Sequence, residues 1–299
     1  MPTARPASPS IDLRILLRGI GQIVLQANAF TGAMLVAALA LTDLRLACAA
    51  LVGAAAATLT AVLTGAERRD VEHGLHGFNG ALAALVAVLF APAPPAALVL
   101  APLPAIGAAL VQRALRTPLA KWRQCPYSSP CLAVTALWLP FVAVQHASGA
   151  GAATDAALTL SSAAAALLSG VAQTTFAQGA WAGALIVAGI AVASRRAAAF
   201  ALGGAIVSTV LLVALGASGT VLADGLLGFN GALAALALTS RGPRAALAGA
   251  ALAALIQWLA THSGIIVLTA PFALASWITV AVARRLTLGE PDVVIRTPS

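Results

Sequence analysis

Two glutamines inside apolar segments are the side chains best suited to binding a neutral polar molecule. Gln22 and Gln173 lie 151 residues apart, each within a long apolar stretch. A glutamine amide offers a carbonyl acceptor and two N–H donors, and leaving it unpaired in hydrocarbon costs several kcal/mol. These groups bond either to a neighbouring helix or to a molecule that passes between helices. Recurrence at one fixed offset favours the second interpretation.

A glycine-rich phrase recurs at the same offset. The sequence from Gly74 reads GLHGFNGALAAL, and that from Gly225 reads GLLGFNGALAAL, so His76 against Leu227 is the sole difference. Two landmarks with one spacing indicate an internal duplication. In a membrane protein, a duplicated polar motif within apolar sequence points to a pathway between two halves.

The asparagine of this phrase has a structural interpretation. An Asn between glycines satisfies backbone groups that a broken helix leaves free. Leu82 and Leu233 follow the asparagines by about one helical turn, so they share a face with them and predict apolar walls. The predicted helix-break residues are Gly77, Asn79, Gly228 and Asn230.

Residues for catalysis or metal binding form no recognisable pattern. The four histidines lie mostly at segment ends, no carboxylate pair stands in a polar cluster, and Cys48, Cys125 and Cys131 lack metal-ligand spacing. We therefore predict no catalytic residue, metal or cofactor, and no enzyme. The roles of Glu72, His73 and Asp224 stay open, the last two because they directly precede the two glycine phrases.

Composition places the chain in a membrane. Of its 299 residues 61% are hydrophobic and 9% are charged, and the mean hydropathy is +0.96, whereas a soluble domain carries about 25% charged residues. Long Ala- and Leu-rich runs favour helices over a barrel. The net charge of +8 comes from residues at segment ends, so it indicates topology and not nucleic-acid binding.

Apolar segments and charges predict the arrangement of the chain. Five apolar regions in each half, with basic loops alternating with loops poor in Lys and Arg, predict ten crossings and two cytoplasmic termini. An odd number of crossings per half makes the halves inverted. The turn at Pro92–Pro95 is uncharged while its counterpart near Arg241–Arg244 is basic, which agrees with inversion. The predicted regions are an N-terminal tail at 1–10, a first repeat at 11–146, a linker at 147–156, a second repeat at 157–285 and a C-terminal tail at 286–299.

Two segments exceed the roughly 20 residues that cross a bilayer. Residues 11–42 and 157–194 each contain a polar interruption, which predicts a short half-helix followed by a full span. Segment 225–239 is short and glycine-interrupted. Such segments at corresponding positions predict a binding site near the membrane midplane.

The order of these motifs resembles the urea transporter family, and the chain is similar to a bacterial member over nearly its whole length. The matching stretches are GIGQ and NAFTG at Gly19–Gln22 and Asn28–Gly32, QTTF and GAWAG at Gln173–Phe176 and Gly179–Gly183, both glycine phrases, and LTAPF at Leu268–Phe272 with Trp277. The resemblance implies two inverted repeats of five transmembrane helices with pore half-helices, a pore in each protomer, a homotrimer and a location in the cell (inner) membrane.

The resemblance also implies the pore residues. The family's Gln-x-x-Phe motif corresponds to Gln22, Ile23 and Leu25 in the first half and to Gln173, Thr174 and Phe176 in the second; Leu25 departs from the expected Phe. The family's Thr-x-Pro-Phe motif implies Thr269, and Ser128 in Ser-Ser-Pro-Cys as its first-half counterpart, with Thr135 close by.

These residues imply passive, selective permeation of urea through a narrow pore between the halves. Urea is flat and neutral, with one acceptor and several N–H donors, so a path must replace the hydrogen bonds it loses with water. The alternatives are a channel for another small neutral amide or polar solute, since Leu25 and Ser128 depart from the family pattern, and an ion-coupled secondary transporter, which would need a titratable residue within the path.

Overall fold

The computed structural model describes residues 11–90, 94–143 and 159–287. The predicted tail at 1–10, the linker at 147–156, residues 288–299 and part of the Pro92–Pro95 turn lie outside the described residues. Within those ranges the chain forms helices and turns and no strand. The protein is thus all-helical, as the sequence predicts.

The first half contains nine helices within the described residues. They are α1 (Leu13–Gly21), α2 (Ala29–Thr42), α3 (Leu44–Leu63), α4 (Arg68–Glu72), α5 (Gly77–Phe90), α6 (Pro94–Leu100), α7 (Pro102–Lys121), α8 (Ser129–Ala136) and α9 (Leu139–Ala143). The second half repeats most of this order. Its described helices are α10 (Leu160–Ala172), α11 (Ala180–Ala193), α12 (Arg195–Ala214), α13 (Gly219–Ala223), α14 (Phe229–Ala237), α15 (Pro243–His262) and α16 (Ala270–Thr287).

Local signals start corresponding helices at corresponding residues. The Asp43 side chain accepts a hydrogen bond from the Arg45 backbone N–H at the start of α3, and the Ser194 side chain accepts one from Ala197 at the start of α12. These caps satisfy backbone donors that a helix leaves free in its first turn. The two capping residues are separated by the same offset as the duplicated motifs, so the duplication holds at the level of local structure.

Each half begins with a broken helix. A 3₁₀ turn follows α1 at Gln22–Val24 and follows α10 at Gln173–Thr175. The chain then turns through a left-handed residue, and the flanking helices meet at 75° in the first half and 68° in the second. The polar interruptions predict the breaks, but the helix after each break has 14 residues and is not a full span, since about 20 residues are needed to cross the hydrocarbon.

Membrane-spanning character is strongest in four described helices. By length and composition, Leu44–Leu63, Ala97–Lys121, Arg195–Ala214 and Pro243–His262 can each cross a membrane, and up to six spans result if each bent pair counts as one. Exposed leucines such as Leu59 and Leu255 lie on these helices, as is typical of helices that face lipid. The count of ten crossings and the inversion of the halves stay predictions.

The halves are joined through α2 and α11. The buried Thr31 hydroxyl donates to the Gly189 carbonyl across this junction at 2.7 Å. A side chain on Gly32 or on its counterpart Gly183 would collide with the backbone of Leu17 or Leu168. These glycines therefore allow the two pieces of each broken helix to pack closely, and one apolar core continues through both halves.

The fixed offset between corresponding elements of the two halves is lost after α5. The starts of α4 and α13 keep the offset of the duplicated motifs, whereas the starts of α7 and α15 are closer together in the chain. The first half places α6 before α7, while the described residues of the second half have a 3₁₀ turn at Thr239–Arg241 before α15. Residues beyond this point must be paired by structure and not by a fixed offset.

Candidate functional site

Three cavities follow one another; the described lining of the first comes from the first half alone, and residues of both halves line the other two. We name them by position: the first cavity, of about 630 Å³, the central cavity, of about 10 Å³, and the second cavity, of about 720 Å³. The first and central cavities share four lining residues, Gln22, Leu25, Phe78 and Tyr127. The second cavity continues from the central one through chain neighbours, Gln173 beside Thr174 and Leu268 beside Thr269.

The central cavity is much the smallest of the three. A cavity needs about 10–15 Å³ to hold a single water molecule, so this space holds one water at most. Its lining comes from both halves. The lining residues are Gln22, Ile23, Leu25, Phe78, Leu82, Tyr127, Ser128, Thr174, Leu233, Thr269 and Phe272.

Two hydroxyls from opposite halves meet at this cavity. The Thr269 Oγ1 donates a hydrogen bond to Ser128 Oγ at 2.7 Å, and both residues are buried. Thr135, the neighbour that could have taken the place of Ser128, does not line the central cavity and instead contacts the Cys131 sulfur at 3.9 Å. The structure thus brings Ser128, and not Thr135, together with Thr269.

Asn79 fixes the backbone around Ser128. Its Nδ2 donates to the Gln112 Oε1 and to the Tyr127 carbonyl, both at 3.0 Å, while its Oδ1 accepts from the Cys131 backbone N–H at 3.2 Å. Gln112 in turn donates from Nε2 to the Leu75 carbonyl at 2.8 Å. The asparagine is fully buried, so each of these bonds replaces one that water would otherwise make.

Asn230 makes the same bonds around Thr269. Its Nδ2 donates to the Gln257 Oε1 at 2.9 Å and to the Leu268 carbonyl at 3.1 Å, and its Oδ1 accepts from the Phe272 N–H at 3.2 Å. Gln257 donates from Nε2 to the Leu226 carbonyl at 2.7 Å. Each asparagine therefore connects a glycine phrase to the residues that flank a central hydroxyl.

The predicted break glycines and the left-handed glycines are different residues. Gly77 begins α5 and Gly228 caps α14, and each lies against the backbone of a glycine in the first helix of its half, Gly19 of α1 and Gly170 of α10. The backbone turns through positive φ earlier, at Gly74 (φ 72°) and Gly225 (φ 75°). Glycine adopts left-handed backbone without steric strain, so these residues, which precede Gly77 and Gly228 in the two phrases, form the turn itself.

Gln22 and Gln173 are held in matching positions. The Gln22 Nε2 donates to the His73 carbonyl at 3.3 Å, and the Gln173 Nε2 donates to the Asp224 carbonyl at 3.0 Å. A carbonyl acceptor fixes which end of the amide faces it. Within the described residues no donor binds either Oε1, and each glutamine lines a large cavity, so these oxygens are available to a guest molecule.

The other predicted pore residues divide between the cavities. Ile23, Leu82, Thr174 and Leu233 line the central cavity, and Leu25 lines both it and the first cavity. Phe176 lines the second cavity.

Leu25 and Phe176 are left-handed, with φ of 60° and 63°. Positive φ in bulky residues is strained and clusters at functional sites. The strain recurs in both halves beside the same cavity system.

Charged side chains gather at the first cavity. Arg116 pairs with Glu67 at 2.7 Å and with Asp70 at 3.1 Å. Asp70, Arg113 and Arg116 line the first cavity, whereas Asp224 is the one charged residue among the described residues that line the second. The central cavity has no Asp, Glu, Lys or Arg in its described lining.

The residues left open by the sequence accept hydrogen bonds at their backbone carbonyls, and the Glu72 side chain also pairs with Arg68 at 2.7 Å. The carbonyls of His73 and Asp224 orient the two glutamines, and the Glu72 carbonyl accepts from Arg18 at 2.8 Å. The His73 ring contacts the Arg69 carbonyl at 2.8 Å.

Sequence reasoning misses Gln112, Gln257 and Tyr127. The two glutamines are closer together in the chain than the duplicated motifs are, so a search at one fixed offset does not pair them. Each is a single Gln deep in a long apolar helix, and that isolation is the signal that could have found them. Phe78 lines the first and central cavities, although a phenylalanine in apolar sequence more often serves packing.

Comparison with protein families identifies the family of the chain. The urea transporter family model matches residues 13–284. The chain belongs to the urea transporter family. Comparison with curated proteins gives no match. The protein is therefore a multi-pass membrane transport protein that carries urea, and not an enzyme.

Proposed function

We propose that the protein conducts urea passively, as a channel, through the first, central and second cavities in turn. The observation that carries this proposal is the hydrogen bond from Thr269 to Ser128, which joins the two halves at the small central cavity between two large cavities. Neither mouth needs to close for the other to open in such an arrangement. Only the central cavity, which we call the filter, separates them.

The hydroxyl pair suits urea. To pass, urea must separate Ser128 from Thr269, because the central cavity of about 10 Å³ holds no more than a water molecule. Each hydroxyl can exchange its partner for urea, accepting from a urea N–H and donating to the urea carbonyl. Hydrogen bonds are thus exchanged and not lost, which keeps the barrier low. The Gln22 and Gln173 carbonyl oxygens would accept urea N–H groups before and after this point.

The walls of the filter favour a neutral solute over an ion. Leu82, Leu233 and Ile23 give the central cavity apolar sides, and its described lining is uncharged. An ion would lose its hydration shell there without a counter-charge. This also opposes the ion-coupled alternative, which requires a titratable group in the path.

A channel for another small neutral amide is the second candidate. Ser128 is smaller than the threonine expected in the family, and Leu25 stands where a phenylalanine is expected. Both line the central cavity, so they bear on solute size there.

The cellular setting is part of the proposal. Family membership supports a homotrimer with one pore per protomer in the inner membrane, and the alternation of basic loops supports two cytoplasmic termini. Cross-linking in the membrane would give trimers if the assembly is as proposed, and cysteine labelling from each side would locate the termini.

Flux measurements test the transport mechanism. Purified protein in liposomes should accelerate urea entry, measured by light scattering, to the same extent with and without a proton or sodium gradient. Transport that requires a gradient would contradict the channel. Transport of formamide or acetamide without transport of urea would favour the second candidate.

Variants test the filter. Thr269→Val keeps the shape but removes the hydroxyl, and we expect urea permeability to fall roughly tenfold, the effect of about one hydrogen bond in the transition state. Ser128→Ala should act in the same direction. Thr135→Val is the matched control, since this buried threonine lies outside the central cavity, and equal effects at 135 and 269 would remove Thr269 from the path.

A further inference from the structure

At two pairs of corresponding positions, one half has an aromatic residue and the other has a leucine. The first position is the left-handed residue that ends the 3₁₀ turn, which is Leu25 in the first half and Phe176 in the second. The second position directly precedes the central hydroxyl, and here the first half has Tyr127 and the second has Leu268. Each half therefore supplies one aromatic ring and one leucine from this pair of positions, but in opposite order.

The two aromatic residues, Tyr127 and Phe176, line different cavities. Tyr127 lines both the first and the central cavity, with 8% of its surface exposed. Phe176 lines the second cavity and not the central one. Of the two rings at these positions, Tyr127 thus lies against the central cavity, which Phe78 and Phe272 also line, and Phe176 lies outside it.

Tyr127 is held firmly in this position. Its backbone is left-handed, with φ of 46°, and its carbonyl accepts the 3.0 Å hydrogen bond from Asn79. Its ring packs edge to face on Phe272, with centroids 5.1 Å apart and planes at 64°. Leu25 packs against the same cluster. A left-handed tyrosine is costly, and such strain is found where a side chain must be aimed at a functional site.

A rigid ring selects by shape. An aromatic face is flat, so it contacts a planar solute over the whole of one side, whereas a leucine is branched and presents an uneven surface. The ring also has few rotamers to lose when it is fixed. Placed beside the Ser128 hydroxyl, it leaves a slot for a flat molecule that hydrogen-bonds at its edge.

We propose that Tyr127 is a specificity-determining residue, which makes the first-half wall of the filter selective for planar amides in the place that Leu25 leaves without a ring. This inference rests on the proposed urea channel and adds to it the residue that reads solute shape. The competing role is packing alone, in which Tyr127 would support Phe272 and leave selectivity unchanged.

The test is the ratio of urea to glycerol permeability in proteoliposomes, since both solutes are small and neutral but glycerol is not planar. For Tyr127→Leu, which copies the second half, we expect the ratio to fall roughly three- to tenfold, from the loss of one aromatic contact. Tyr127→Phe keeps the ring and should retain the ratio within about twofold. Leu25→Phe combined with Tyr127→Leu returns a ring to the wall and should recover most of the ratio.

The outcomes separate the two proposals. If the wild-type protein transports no urea, the channel itself is wrong and this proposal falls with it. If the wild type transports urea but Tyr127→Leu changes both permeabilities equally, or the added Leu25→Phe substitution recovers nothing, then Tyr127 only packs. Should Tyr127→Leu fail to fold, Tyr127→Met fills the site with a flexible side chain, and the same ratio and the same rescue decide.

Discussion

The first and second cavities are held by the same set of hydrogen bonds, which we call the frame, but they are lined by different side chains. In both halves a glutamine is tied to a backbone carbonyl and an asparagine is tied to a buried glutamine and to the residues around a hydroxyl. The walls differ: the described lining of the first cavity has three charged residues and His76, while that of the second has a single charged residue and does not include Leu227, the counterpart of His76.

This difference separates two roles. Bonds that occur twice hold the filter in place, because both halves must present a hydroxyl at one point. Side chains that differ are free of that requirement, so they can suit the two mouths to different surroundings. Mutating the shared frame should therefore affect both halves alike, and mutating the differing walls should affect one.

The largest expected effect tests the frame. Asn79→Ala leaves the Tyr127 carbonyl and the Cys131 N–H without their partner, and we expect about 2–4 kcal/mol of destabilisation. Asn230→Ala should cost the same to within about 1 kcal/mol, because its bonds match in type and length. Thermal unfolding in detergent measures both. Gln178→Ala, at an exposed amide, is the control, and a large inequality between the two asparagines would break the comparison.

The sequence predicts the frame because duplication marks it. Gln22 with Gln173 and Asn79 with Asn230 recur at one offset, and this regularity is visible without a structure. Ser128 is found only through the family motif, since its separation from Thr269 differs from that offset.

The sequence does not predict the parts of the site whose geometry depends on helix register. The helix α6 displaces everything after it, so Gln112 and Gln257 fall out of step, and Tyr127 belongs to no repeated motif at all. The backbone carbonyls of His73 and Asp224 have no residue-type signal, because any residue can supply a carbonyl. Phe176 lies outside the central cavity although its counterpart Leu25 lines it, and the matching positions of the two residues in the sequence do not predict this difference.

An intermediate effect on urea permeability is expected from Thr174, which differs from its counterpart in the first half. Thr174 lines the central cavity where its counterpart is Ile23, so only the second half has a hydroxyl at this position. Its Oγ1 donates to the Val171 carbonyl at 2.7 Å and keeps a lone pair for a urea N–H. We expect Thr174→Val to slow urea roughly two- to fivefold, less than loss of Thr269, because its hydroxyl donor is already used.

Two controls isolate that hydroxyl. Thr175→Val removes a buried hydroxyl that bonds to the Ala172 carbonyl but does not line the central cavity. Ile23→Val changes the opposite wall without changing its polarity. Urea permeability should stay near that of the wild type in both. If Thr175→Val slows urea as much as Thr174→Val does, the effect belongs to the helix and not to the cavity.

The smallest expected effect concerns the one residue that distinguishes the two glycine phrases. His76 lies in the turn before α5, outside the spans, and its Nε2 is buried without a hydrogen-bond partner among the described residues. Burial lowers the pKa of His76 below its usual 6.5; Asp70 on α4 opposes this shift and Arg116 on α7 adds to it. Arg113, also on α7, lines the same cavity.

The lowered pKa gives a definite pH dependence. Above pH 6.5 the ring is neutral in folded and unfolded chains, so it costs nothing. Below that pH the unfolded chain gains a proton that the folded chain resists, and stability falls by up to about 1.4 kcal/mol per pH unit until the folded pKa is reached. His76→Leu, which copies the second phrase, should remove this part of the acid sensitivity. Melting temperatures of both proteins between pH 8 and pH 5 measure it: the curves should converge at neutral pH after any constant offset and separate on acidification. Parallel curves over the whole range would mean that the difference between the two phrases has no electrostatic consequence.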